Sequence, residues 1–214
     1  MERSRFDSIF REVDAGQVRG AVVQALRSGV EAAGQSFAFG APRTDGHTYG
    51  NDLWRFVWYD MADVLKKLPG GAAVRRPRGS FLVDLRAAVL YPFRYGADRA
   101  ADVTNYRMVE SQFRRELLVD ANTAEHLFWP EVVLVPYAAN PGAGLVRAYV
   151  GGARIDEDDR LDWQWLEELD LGDLRGPVRR TDGDDLPVVP PFARRPEPEL
   201  ELTLTDDAPE GLGG

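Results

Sequence analysis

Apolar positions recur every three to four residues over the first third of the chain and every second residue beyond it, a pattern of helices followed by strands. Within residues 1–34, Phe6, Ile9, Phe10 and Val13 share one helical face. After Asp14, whose Gln17 completes a capping box, Val18, Ala21, Val22, Ala25, Leu26 and Ala33 share another. The spacing predicts a helical hairpin. A loop, FGAPRTDGHTYG, then leads into a helix over Leu53 to Leu68. On its wheel Leu53, Trp54, Val57, Trp58, Met61, Val64, Leu65 and Leu68 fall within one arc of about 140°. Asn51 or Asp52 is placed to cap its start, and Pro69-Gly70-Gly71 to end it.

FLVDL and AAVLYPF are rich in strand formers, which predicts a hairpin or one bent strand over residues 80–95. Pro92 cannot donate to a ladder, so the second strand is expected at an edge or to end there. Period two sets Val89, Tyr91, Phe93 and Tyr95 on one side, with Arg86 and Arg94 pointing away from the better-packed side. Residues 104–119 read as a helix with Tyr106, Val109, Phe113 and Leu117 inward. EVVLVPYA and LVRAYVGGARI, joined by NPGAG, predict a second hairpin. The acidic aromatic segment DEDDRLDWQWLEELDL is expected to cover one end of the core with Trp163 and Trp165. The fold class that follows is α+β: N-terminal helices on a mainly antiparallel sheet of about four strands, in helix-hairpin-helix-hairpin order.

Composition changes this picture at the C-terminus. Seven of the fourteen prolines and nine acids fall in the last 39 residues. Residues 1–175 are therefore expected to form the single α+β domain, and residues 176–214 a disordered acidic tail. The 44% hydrophobic content and 22 aromatic residues give the domain enough apolar area for a real core. With no cysteine, disulfides, thiolate metal sites and a cysteine nucleophile are impossible. Neither a signal-peptide stretch nor a membrane-length apolar run is visible, which makes the cytoplasm the expected compartment. Two lysines among 26 basic residues, with abundant alanine and glycine, hint at a GC-rich bacterial or phage genome.

Charge is distributed unevenly. From Asp156 onward the chain carries a net charge of −12, whereas residues 1–155 carry +3. Within residues 66–115 eleven Lys/Arg stand against four Asp/Glu, an excess of +7. Arg75, Arg76, Arg78, Arg86, Arg94, Arg107, Arg114 and Arg115 are the candidate binding residues of a basic flank. Such a flank attracts phosphates or an acidic protein, and an acidic tail competes for it. The expectation is a non-catalytic binding protein for nucleic acid or an acidic protein partner, with no cofactor. A structural or phage-assembly role, with the alternating ELELTLT segment adding to a sheet edge, is a further reading.

Catalytic chemistry has few candidates. No phosphate-binding loop, GxGxxG or GxSxG occurs, and two distant histidines without cysteine cannot build the usual zinc sites. His47, in TDGHTYGND, is placed to act as a general base or to bind an anion at a helix start. His126 reads as a packed structural residue beside Phe128 and Trp129. Asp84 with Glu110 or Glu131 could hold Mg²⁺, the basis of an alternative reading as a metal-dependent nuclease or hydrolase. The element order is loosely similar to restriction-endonuclease-like cores, but the lysine that pattern requires two residues after its second acid is missing. Asp84 and Arg86 are better read as a salt-bridged surface pair.

Overall fold

The computed structural model describes residues 4–11, 14–40, 45–75, 82–108, 131–156 and 158–172. The chain divides into two units, Met1–Gly176 and Pro177–Gly214, and every described residue belongs to the first. Three helices, α1 (Arg5–Ile9), α2 (Ala15–Gly40) and α3 (Gly46–Leu65), precede six strands. The strands are β1 (Ala73–Arg75), β2 (Leu82–Asp84), β3 (Ala88–Gly96), β4 (Glu131–Asn140), β5 (Gly144–Ile155) and β6 (Leu161–Glu168). All six lie in one sheet in sequence order. Among the described residues no helix is long and apolar enough to cross a membrane.

The α+β class holds, but the sheet is larger than expected and mixed. Four of its pairings are antiparallel, while β3 and β4 run parallel in register from Ala88↔Glu131 to Arg94↔Tyr137. The result is two three-stranded meanders joined along one parallel seam. Both seam strands are buried on both faces over most of their length, as their unbroken apolar runs require. Pro92 accordingly sits in a central strand rather than at an edge. It fits because β2 pairs with β3 only as far as Leu90. The Ala88 carbonyl accepts from Leu85 N–H, so alternation turns Pro92 to that same side, beyond the last pair.

The helix expected over 104–119 does not begin as one. Val103–Asn105 is a 3₁₀ turn capped by Asp102, and Arg107 bridges Arg160; residues 109–130, with His126, lie outside the described set. The acidic aromatic segment is a strand, and its Trp163 and Trp165 are partly buried residues packed against the core. Its pairing with β5 slips by one residue between Gly152 and Ala153, and that slip sends Trp163 and Trp165 to opposite faces. A Cβ on Gly151 would lie 2.6 Å from the Trp163 ring, and one on Gly152 would collide with the Trp165 indole nitrogen. The two glycines make the seats for the two indoles.

Helices α2 and α3 form an antiparallel pair: Ser36 donates to Asp52 at 2.8 Å, Phe37 meets Tyr49 edge-on, and Gly29 lies against the Val57 backbone. The pair is longer than the sequence suggests. α2 runs on to Gly40, and α3 starts at Gly46 under an Asp45 cap, not at Asn51 or Asp52, because the Asp45 carboxylate accepts from Thr48 N–H at 2.9 Å. The expected inward arc of α3 is otherwise observed, with Leu53, Val57, Trp58, Met61 and Leu65 buried. α2 packs against β5 and α3 against β3. Glu167 of β6 reaches the other way: its carboxylate accepts from Ser4 Oγ, Phe6 N–H and Arg19, the last at 2.8 Å.

Candidate functional site

The four described cations of the expected flank, Arg75, Arg86, Arg94 and Arg107, lie on different parts of the sheet. Arg86 occupies the β2–β3 turn with a left-handed φ of 66°, held there because the Asp84 carboxylate accepts its N–H at 2.8 Å. Its exposed side chain lines a cleft of about 580 Å³ between α1, the end of α3 and the turn. Arg11 lines the same cleft, over walls that include Ile9, Phe10, Leu68 and Leu85. Among the described residues neither guanidinium has a carboxylate within ion-pair distance, and exposed Lys67 directly precedes the lining residue Leu68 in sequence. Arg107 is exposed beside Arg160, at the β6 edge of the sheet. At roughly 4.8 Å per strand it is about 14 Å or more from Arg86. Arg75 ends β1 opposite Leu82. Arg76, Arg78, Arg114 and Arg115 lie outside the described residues.

The candidate acids are not assembled. Asp84 is buried, 7% exposed, and serves the turn, so it is not the surface partner of the Arg86 side chain. Glu131 is exposed at the start of β4, 3.4 Å from Arg5. β3 separates the two, since Asp84 pairs with Val89 and Glu131 with Ala88, a gap of about 10 Å between backbones. Glu110 lies outside the described residues. His47 stands exposed in the first turn of α3, its Nε2 3.3 Å from the Asn51 amide nitrogen. Among the described residues no group of three His, Asp or Glu is placed to hold a metal ion.

Arg94 behaves unlike the rest. It does not point away from the packed side. Its Nε donates to the carbonyls of Gly96 and Ala139, at 3.1 and 3.0 Å, at the carboxyl ends of β3 and β4. The guanidinium lies 5.8 Å from the centroid of the Tyr49 ring, and its register partner on β4 is Tyr137. Both tyrosines are buried, and burial pushes both phenols above their ordinary range despite the opposing pull of Arg94. The Tyr49 hydroxyl has no hydrogen-bond partner among the described residues. The sequence carried a partial signal of this cluster, an arginine inside an apolar strand. Parallel pairing with β4 and the early start of α3, which bring in the two tyrosines, were not visible in it. Comparison of the chain with known protein families, curated proteins and solved structures gives no match, so its function is argued from these side chains.

Proposed function

We propose that this chain is a non-catalytic cytoplasmic binding protein that engages nucleic acid through exposed arginines, with its acidic C-terminal stretch competing for the same cations. The observation that supports it is the convergence of Arg11 and Arg86 on one cleft without a neutralising carboxylate among the described residues. An exposed guanidinium left unpaired keeps its full reach for phosphate, and each neutralised phosphate releases a counterion. Arg75, Arg76 and Arg78 extend the same stretch of chain. Arg94, turned inward, does not belong to this surface, and Arg107 contributes at most a separate contact.

The test is retention of DNA or RNA at low salt. Deleting residues 176–214 is expected to increase it; Arg11→Glu with Arg86→Glu, or reversal of Arg75, Arg76 and Arg78, is expected to remove it. Retention unchanged in all of these variants overturns the proposal. Co-purified acidic protein in place of nucleic acid would move the same surface to the other expected partner. For the nuclease reading, magnesium-stimulated cleavage lost in Asp84→Ala would be needed, and the placement of Asp84 gives it no support.

A further inference from the structure

We infer that Arg94, with Tyr49 and Tyr137, forms a binding site for a compact oxyanion, a carboxylate or phosphate group, at the carboxyl end of the parallel β3–β4 pair. Three observations carry it. First, Arg94 is half-buried and has no carboxylate within ion-pair distance among the described residues. A cation withdrawn from water without a counter-ion is costly, and the fold tolerates it most readily when an anion completes the site. Second, both protein bonds of Arg94 are made by Nε, to the Gly96 and Ala139 carbonyls. They fix the plane of the guanidinium while the two terminal nitrogens have no partner among the described residues, leaving the fork that matches a carboxylate or phosphate edge. Third, the Tyr49 hydroxyl, in a side chain that is 2% exposed, is an orphan among the described residues. Buried polar groups are seldom left without a partner, be it protein, ordered water, ion or ligand, so this hydroxyl is available to one.

The neighbours agree with an anion and not with a cation. Phenols are protonated at neutral pH, and burial pushes Tyr49 and Tyr137 further in that direction, so both are hydrogen-bond donors. The nearest acids on α3 are occupied elsewhere, Asp45 with Thr48 and Asp52 with Ser36. This site is independent of the proposed nucleic-acid surface, because none of its residues lines the cleft of Arg11 and Arg86.

The experiment is thermal unfolding of the full chain at constant ionic strength, with inorganic phosphate or acetate replacing chloride. A saturable rise in the midpoint is expected for the wild type, and an apparent affinity about fivefold or more weaker in Tyr49→Phe, which removes one donor and keeps the ring. Arg94→Lys keeps the charge but loses the fork and should weaken binding further. Arg55→Gln, at an exposed arginine outside both sites, is expected to leave the response unchanged, which separates this site from general charge neutralisation. No anion-specific rise in the wild type, or equal affinity in wild type and Tyr49→Phe, overturns the inference. If Arg94→Lys does not fold, Tyr49→Phe alone decides.

Discussion

Two glycines of α2 answer the same substitution in opposite ways. A Cβ on Gly29 would lie 2.6 Å from Val57 Cα and 2.7 Å from its nitrogen, backbone atoms that cannot rotate aside. Gly29→Ala should therefore cost about 1–3 kcal/mol although alanine is the better helix former. A Cβ on Gly20 would meet nothing within 4 Å, so Gly20→Ala should stabilise by about 0.5–1 kcal/mol. Urea unfolding of both variants checks the pair, and equal signs would contradict the helix crossing. Propensity read from sequence treats these positions alike; only the partner helix distinguishes them. The same limit applies to Asp84 and Arg86, where a carboxylate and a cation two apart suggest an ion pair. The carboxylate instead fixes the backbone of a turn whose left-handed residue is not a glycine.

At the scale of elements, α1 is attached to β6 by one carboxylate. Burial pushes Glu167 up, but hydrogen bonds from Ser4, Arg19 and the Phe6 N–H outweigh this and hold it below the usual carboxylate range. A depressed folded pKa gives stability that is complete above the ordinary glutamate value of about 4.3 and is lost as pH falls through the folded value. Glu167→Gln should cost about 1–2 kcal/mol at pH 7 and flatten the fall in stability between roughly pH 5 and 3, measured by urea unfolding at each pH. At the other end of the strand, Gly151→Ala should displace Trp163 from its seat and break its 3.2 Å bond to the Val103 carbonyl. A loss of about 1–3 kcal/mol with a changed near-ultraviolet indole signal is expected. Elements with one apolar face were legible: α3 follows its wheel, apart from Trp54 at its margin, 41% exposed. The β4–β5 hairpin was legible from its turn residues. The seam was not, because parallel pairing leaves no local turn to read, and continuous apolar runs fit several strand positions. β6 was missed because its bulge and acidic outer positions mask its alternation.

For the whole molecule, charge asymmetry was plain in the sequence, but the positions of the charges were not. Arginines close along the chain end in a turn, inside the sheet end and at the far edge, since strand order rather than sequence distance decides which cations meet. If the cleft cations carry nucleic-acid binding, the slope of log affinity against log salt should become shallower by about one or two units in Arg11→Gln with Arg86→Gln, readable by filter binding. The seam has a further consequence for the integrity of the polypeptide. The first meander brings the helices, yet α2 rests on β5, and Glu167 of the second meander holds Ser4, Phe6 and Arg19. Each half thus completes the other's interior. Cleavage in the connection between β3 and β4 should leave two fragments that are unfolded apart and recover helical signal only on mixing, and the uncut first unit should melt cooperatively, without a half-folded species.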